Sequence, residues 1–225
     1  MFFWLKRRRK FFQEIEWKYD VRYYRGTQPP DAAIACLIEA LGVFMRVCAE
    51  AGVQPFLAHG TLIGWWWSRA LLPWDDDIDV LLTHRELVAL LRFNKRMFDK
   101  RYRLEINPHH NMRATLNRWP GDQREQNKID ARFFDTHNGL YIDITALHPV
   151  DDVLMATKCP HVFPREWMFP LQRSTLSGID VFVPSRPSDM LMQEYGPEVL
   201  TATRFNGYHF DSTSTTWLRD QPADS

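Results

Sequence analysis

Apolar positions between residues 31 and 51 recur mostly at three- and four-residue steps: Ile34, Leu37, Ile38, Leu41, Phe44, Met45 and Cys48. That spacing places them on one stripe of an amphipathic helix, with Pro30-Asp31 as a start signal and Gly52 as a stop. "VQPFLAHG" then reads as a short strand ending at Gly60. "TLIGWWWSRALL" reads as a helix ended by Pro73, with Gly64 as an internal weak point. "DIDVLLT" reads as a strand. A helix is predicted from about Arg85 to Lys100, with Thr83 as N-cap and Glu86 three residues on. "YRLEINP" is a further strand. "KIDARFFD" and "LYIDITAL" look like paired strands around a turn at Thr136 to Gly139, and "STLSGIDVFVP" like a hairpin around Ser177-Gly178. Residues 188 to 195 read as a short helix ending at Gly196-Pro197, and residues 108 to 128 as polar loop. With no internal repeat and no long linker, the pattern predicts one mixed α/β domain, a mixed sheet flanked by helices, over residues 29–210. A basic-aromatic arm (1–28) precedes it and a polar tail (211–225) follows.

Composition narrows the function more than the fold. The chain has 225 residues, enough for one large core, and 45% of them are apolar. Formal net charge is zero, so no nucleic-acid partner is expected. The 3 cysteines, Cys36, Cys48 and Cys159, form no C-x-x-C pair. A disulfide framework is therefore not expected, one bridge stays open, and no Cys/His zinc spacing is visible. The apolar part of "MFFWLKRRRKFF" is too short to span a bilayer or to serve as a signal-peptide core. Its basic run reads as a solvated arm, as a patch making peripheral contact with an anionic membrane, or as the remnant of a longer anchor region.

The chemistry concentrates in "ALLPWDDDIDVLL", where Asp75, Asp76, Asp77 and Asp79 crowd against an apolar run. Side chains alternate along a strand, which puts Asp75, Asp77 and Asp79 on one face and Asp76, Ile78 and Val80 on the other. Carboxylates so arranged repel one another, and burying them is costly without a cation. Mg²⁺ or Mn²⁺ supplies that cation through oxygen ligands. A calcium loop competes, because Asp75, Asp77, Asp79 and Glu86 have its spacing; however, Val80 stands where the loop needs Gly, and Pro73 interrupts the incoming helix. A solvated acidic turn is the remaining alternative. Upstream, Gly60-Thr61 opens a predicted helix, where close backbone approach and first-turn amides suit a phosphate.

An apolar-Gly turn, a helix and then Asp-apolar-Asp on the next strand resembles the nucleotidyltransferase fold. "HGTLIGWWWSRALLPWDDDIDVLL" narrows this to a resemblance to the LicD family, which includes fukutin and fukutin-related protein. The match runs through Gly60, Thr61, Leu62, Gly64, Pro73, Trp74, Asp75, Asp77 and Asp79. "KIDARFFDTHNGLYIDITAL" is similar to the fungal LicD-like branch associated with mannosylphosphate transfer, and "VFVPSRPSDMLMQEYG" resembles the family's closing segment. The resemblance implies transfer of a phospho-substituent from a CDP- or GDP-linked donor to a glycan hydroxyl. It makes Asp77, Asp79 and Asp143 the catalytic metal ligands, with Asp143 a candidate base and Asp75 a further ligand. Gly60, Thr61 and Arg69 would receive donor phosphate. Asp130 and Arg132 would bind substrate or form a structural ion pair. The family points to the Golgi or secretory pathway; with no anchor or signal peptide visible, a cytoplasmic location stays open. His59 reads as a packed histidine rather than a ligand, and no more than one of Trp65, Trp66 and Trp67 is expected near the donor. Two other classes fit the same residues: a nucleotidyltransferase with another acceptor, and a non-catalytic regulator that keeps the fold.

Overall fold

The computed structural model describes residues 30–107, 110, 129–157 and 161–221. The N-terminal arm, nearly all of the 108–128 loop and Cys159 lie outside them. The first helix, α1 (Pro30–Ala51), buries Leu37, Ala40, Leu41, Phe44, Val47 and Cys48, the stripe its spacing predicts. By length and composition α1 could cross a bilayer; here it packs on a sheet, against the strands Ala131–Asp135, Tyr141–Pro149 and Ile179–Val183. Cys36 and Cys48 are both free thiols on this helix.

After α1 come β1 (Phe56–Leu57), α2 (His59–Ser68), β2 (Asp77–Thr83) and α3 (His84–Leu90). The strands β3 (Met97–Phe98), β4 (Tyr102–Ile106), β5 (Ala131–Asp135) and β6 (Tyr141–Pro149) follow. Beyond them lie β7 (Leu154–Ala156), β8 (Val162–Pro164), the short helix α4 (Arg165–Met168), β9 (Gln172–Leu176), β10 (Ile179–Val183) and α5 (Pro187–Tyr195). Among the described residues the main sheet runs β3-β4-β5-β6-β2-β1-β10-β9, with β7 and β8 continuing from β6. The sheet is mixed: β2 pairs parallel with β6, and β1 pairs parallel with β10 and antiparallel with β2.

Thr83 and Glu86 form the capping box expected from their spacing, each side chain reaching the other's backbone N–H. The helix they start is shorter than predicted. It ends at Leu90, passes through a 3₁₀ turn, and stops where Lys95 turns left-handed (φ 65°) and donates its N–H to Leu104. Pairing with β4 overrides the helical pattern there.

The second correction concerns the chain from Arg204. Residues from Asp211, read as a polar tail, help to build a three-stranded antiparallel sheet: β11 (Arg204–Phe205), β12 (Tyr208–Asp211) and β13 (Thr216–Arg219). Trp74 packs on Phe205, Tyr208 and Trp217, and Trp67 on Phe210 and Trp217, with ring centroids 4.8–5.6 Å apart. This sheet therefore braces both ends of the segment that leads to the aspartates.

Gly64 has a reason that helix propensity does not reveal. A Cβ there would sit 2.4 Å from the Ala70 carbonyl oxygen, where the chain folds back across α2. Propensity alone favours Ala over Gly by about 1 kcal/mol in a helix. The clash is with backbone, which cannot swing aside, so overpacking wins. Gly64→Ala is expected to lose about 1–3 kcal/mol, measured as a fall in urea midpoint. A midpoint at or above the parent value would show that the crossing segment yields freely.

Candidate active site

Strand register assembles the site. In the parallel β2–β6 pair, Asp79 lies beside Asp143 and Asp77 beside Tyr141. In β5–β6, Arg132 lies beside Asp143, and in β4–β5, Glu105 lies beside Arg132. One row across four strands thus reads Glu105, Arg132, Asp143, Asp79. Two-residue alternation adds Asp77 to the same face, while Ile78, Val80, Ile142 and Ile144 point into the core. One carboxylate oxygen from each of Asp77, Asp79 and Asp143 lies within 4.8 Å of the others. Asp143 also accepts two hydrogen bonds from Arg132, 2.5 Å from Nε and 3.2 Å from a terminal nitrogen.

The amino terminus of α2 faces this row. The backbone N–H of Ala58 donates to the Asp79 carbonyl at 3.1 Å, and the Asp79 N–H donates to Thr61 Oγ1 at 2.9 Å. Thr61 therefore clamps the acidic strand to the helix, a positioning task that its spacing did not reveal. Gly60 supplies closeness: a Cβ there would meet Asp75 Oδ2 at 3.2 Å. The N-cap, Ala58, has no side chain to occupy the first-turn amides, so that end of the helix can receive an anion.

The carboxylates are short of positive charge. Burial, then the charges of Asp79 and Asp143, push Asp77 up to about 8. Burial pushes Asp79 up to about 7; His59 opposes this, and Asp143 and Asp75 add to it. Burial with Asp77 and Asp76 pushes Asp75 to about 7. Asp143 is also raised, by burial acting against Arg132. Three converging hard-oxygen donors, each raised above the ordinary carboxylate range, fit a divalent cation of the Mg²⁺ or Mn²⁺ type. Asp75 lies outside that triad, above Gly60.

Other expected residues sit elsewhere. Arg69 occupies the far end of α2, its guanidinium 3.6 Å from the Trp65 ring centre and bonded to the Trp65 carbonyl, so it is not brought to the carboxylates. Asp130 is fully buried and accepts the Ala146 N–H at 2.8 Å, which fixes the start of β5 against β6. Glu86, twelfth in the calcium-loop spacing, is used in the helix cap instead. Trp65 is core, bonded to Ser174; Trp67 supports the small sheet; Trp66 is partly exposed. Sequence reasoning missed the carboxyl end of α5. There Glu194 bonds His59 at 3.1 Å, and Tyr195 is close enough to feel Asp75, Asp77 and Asp79. It also missed the cluster of His84, stacked on His110 and tilted against His148.

A mixed sheet carrying Asp-x-Asp beside the start of a helix, with a third aspartate on the neighbouring strand, is the nucleotidyltransferase architecture. Residues 52–186 match the LicD/FKTN/FKRP nucleotidyltransferase domain, and the chain belongs to that family. Two relatives from Saccharomyces cerevisiae are Mannosyltransferase regulator 4, 31% identical over 50% of this chain, and Mannosyltransferase regulator 14, 32% identical over 48%. The matched segments span 10% and 12% of those proteins.

Proposed function

We propose that this domain transfers a phospho-substituent (sugar phosphate, polyol phosphate or phosphocholine) from a nucleotide-activated donor to a glycan hydroxyl. The observation that carries the reading is the convergence of Asp77, Asp79 and Asp143 beside the uncapped start of α2. Asp77, Asp79 and Asp143 would hold a Mg²⁺ or Mn²⁺, which would supply neutralisation of charge on the phosphoryl oxygens. The first-turn amides at Gly60 receive donor phosphate, and Thr61 keeps the acidic strand in register with them. Arg132 orients Asp143 through both oxygens, which favours charge holding over a base role. Proton acceptance from the hydroxyl falls better to Asp75, whose pKa of about 7 suits a general base. The names of the yeast relatives support a glycan-related setting and hence a place in the secretory pathway. They also favour a second reading, in which the domain regulates a mannosyltransferase without turnover.

Thermal stabilisation of the purified chain by CDP-choline, CDP-ribitol and GDP-mannose, with and without Mn²⁺, separates the two readings. Ligand at a hundredfold excess over Kd stabilises by about 2.7 kcal/mol, roughly 5–10 °C for a chain of this size. The transfer reading expects a metal-dependent shift with one donor, absent in Asp77→Asn/Asp79→Asn. No metal response, or the same response in the variant, leaves the regulator.

A further inference from the structure

We propose that His59, His161 and Glu194 form a second metal site, which takes a zinc-class transition-metal ion. The inference does not rest on the transfer reaction. Three separate elements bring the ligands together: His59 opens α2, Glu194 lies in the last turn of α5, and His161 immediately precedes β8. One ligand atom from each lies within 4.8 Å of the other two. A tetrahedral ion with bonds of about 2 Å holds its ligand atoms roughly 3.3 Å apart. His59 Nδ1 and Glu194 Oε2, at 3.1 Å, already stand at that spacing. His161, with its ring centre 5.6 Å from that of His59, supplies the third ligand atom of the set.

Two further observations point to a ligand. The Glu194 side chain is 3% exposed, and its second oxygen, Oε1, has no hydrogen-bond partner among the described residues. A buried carboxylate oxygen with nothing to accept from is costly unless a cation meets it. His59 also holds a left-handed backbone, φ 49°, next to a glycine that could adopt it without strain. Such strain in a non-glycine residue persists where the side chain has a task. A simple His59–Glu194 ion pair would account for neither the open oxygen nor the approach of His161.

Donor type separates this site from the aspartate triad. Two imidazoles and one carboxylate suit Zn²⁺ or Co²⁺, whereas three carboxylates suit Mg²⁺ or Mn²⁺. Three protein ligands also leave a fourth position open, the pattern of a catalytic rather than a closed structural zinc site.

The test uses the full chain, stripped with chelator, then titrated with Co²⁺ in excess Mg²⁺ and followed by visible absorption. The expected result is one bound equivalent with low-symmetry d–d bands, displaced by Zn²⁺ and not by more Mg²⁺. His161→Ala and Glu194→Gln should each weaken it at least about tenfold, while Asp77→Asn/Asp79→Asn retains it. Circular dichroism checks folding, and His161→Ala, a change at a partly exposed position, carries the test if Glu194→Gln misfolds. No Co²⁺ binding in excess Mg²⁺ would overturn the proposal. So would binding that survives His161→Ala but disappears in the aspartate variant, because the ion would then sit in the triad.

Discussion

Asp77→Asn/Asp79→Asn is expected to raise the stability of the metal-free protein at pH 8 while removing its response to Mg²⁺ or Mn²⁺. Both carboxyls have folded-state pKa values, about 8 and about 7, above the unfolded value of 3.8. The folded chain therefore binds protons more tightly than the unfolded chain. That contribution is fully present below pH 4 and is lost as pH rises through 7 and 8. Metal-free parent protein should thus lose stability across this window. The variant, which has no such charges to bury, should lose less, so the two curves coincide near pH 4 and separate progressively towards pH 8, with the variant the more stable. Denaturant melts in chelator at several pH values measure this. A variant less stable than the parent at pH 8 would mean that hydrogen bonds, not repulsion, dominate the site. With metal present the order should reverse, and on the proposed transfer reaction activity should fall about 100-fold or more in the variant.

Arg132→Met is the most destabilising single change expected near the site. Arg132 neutralises Asp143 from both oxygens, and both residues are buried. Removing one partner of a buried ion pair leaves an uncompensated charge and costs about 3–5 kcal/mol. The loss should shrink below the pH at which Asp143 protonates, and shrink again in excess Mg²⁺. Arg132→Met/Asp143→Leu should recover much of it, since an apolar pair of similar volume is often neutral in such a place. Urea melts of the four proteins in a double-mutant cycle give the coupling directly. A double variant as unstable as Arg132→Met alone would show that Arg132 acts through other neighbours.

Where the sequence carried a period or a motif, the fold followed from it. The α1 stripe, the Thr83–Glu86 cap, the hairpin at Ser177-Gly178 and the Asp-x-Asp strand all rest on local spacing. The third aspartate was legible because apolar neighbours flanked Asp143 on both sides. Partnerships set by register between distant strands were not legible: nothing local says that Arg132 will meet Asp143 bidentately. The small carboxyl-terminal sheet was a miss with a visible signal. Asn206-Gly207, at φ 53° and 78°, forms the two-residue turn that Asn-Gly favours, and Tyr208, Phe210 and Trp217 alternate around it. Low hydrophobicity and the serine-threonine run outweighed that dipeptide. The clamp made by Thr61 and the placement of Arg69 at the far end of its helix were not legible for another reason. A motif says which residues belong near a site, whereas hydrogen-bond partners decide which of them touch substrate and which hold the strand.

The parallel pairing of β2 with β6 also bears on folding. Between Asp79 and Asp143 the chain must complete α3, β3, β4 and β5 before the two carboxylates become neighbours. No partly formed hairpin contains both, so the proposed cation site cannot serve as a nucleus. Loop closure over this separation comes first, and a cation can act only on what closure has already built. Its grip should therefore appear in the lifetime of the native state, through slower unfolding, and hardly at all in the speed with which the chain collapses.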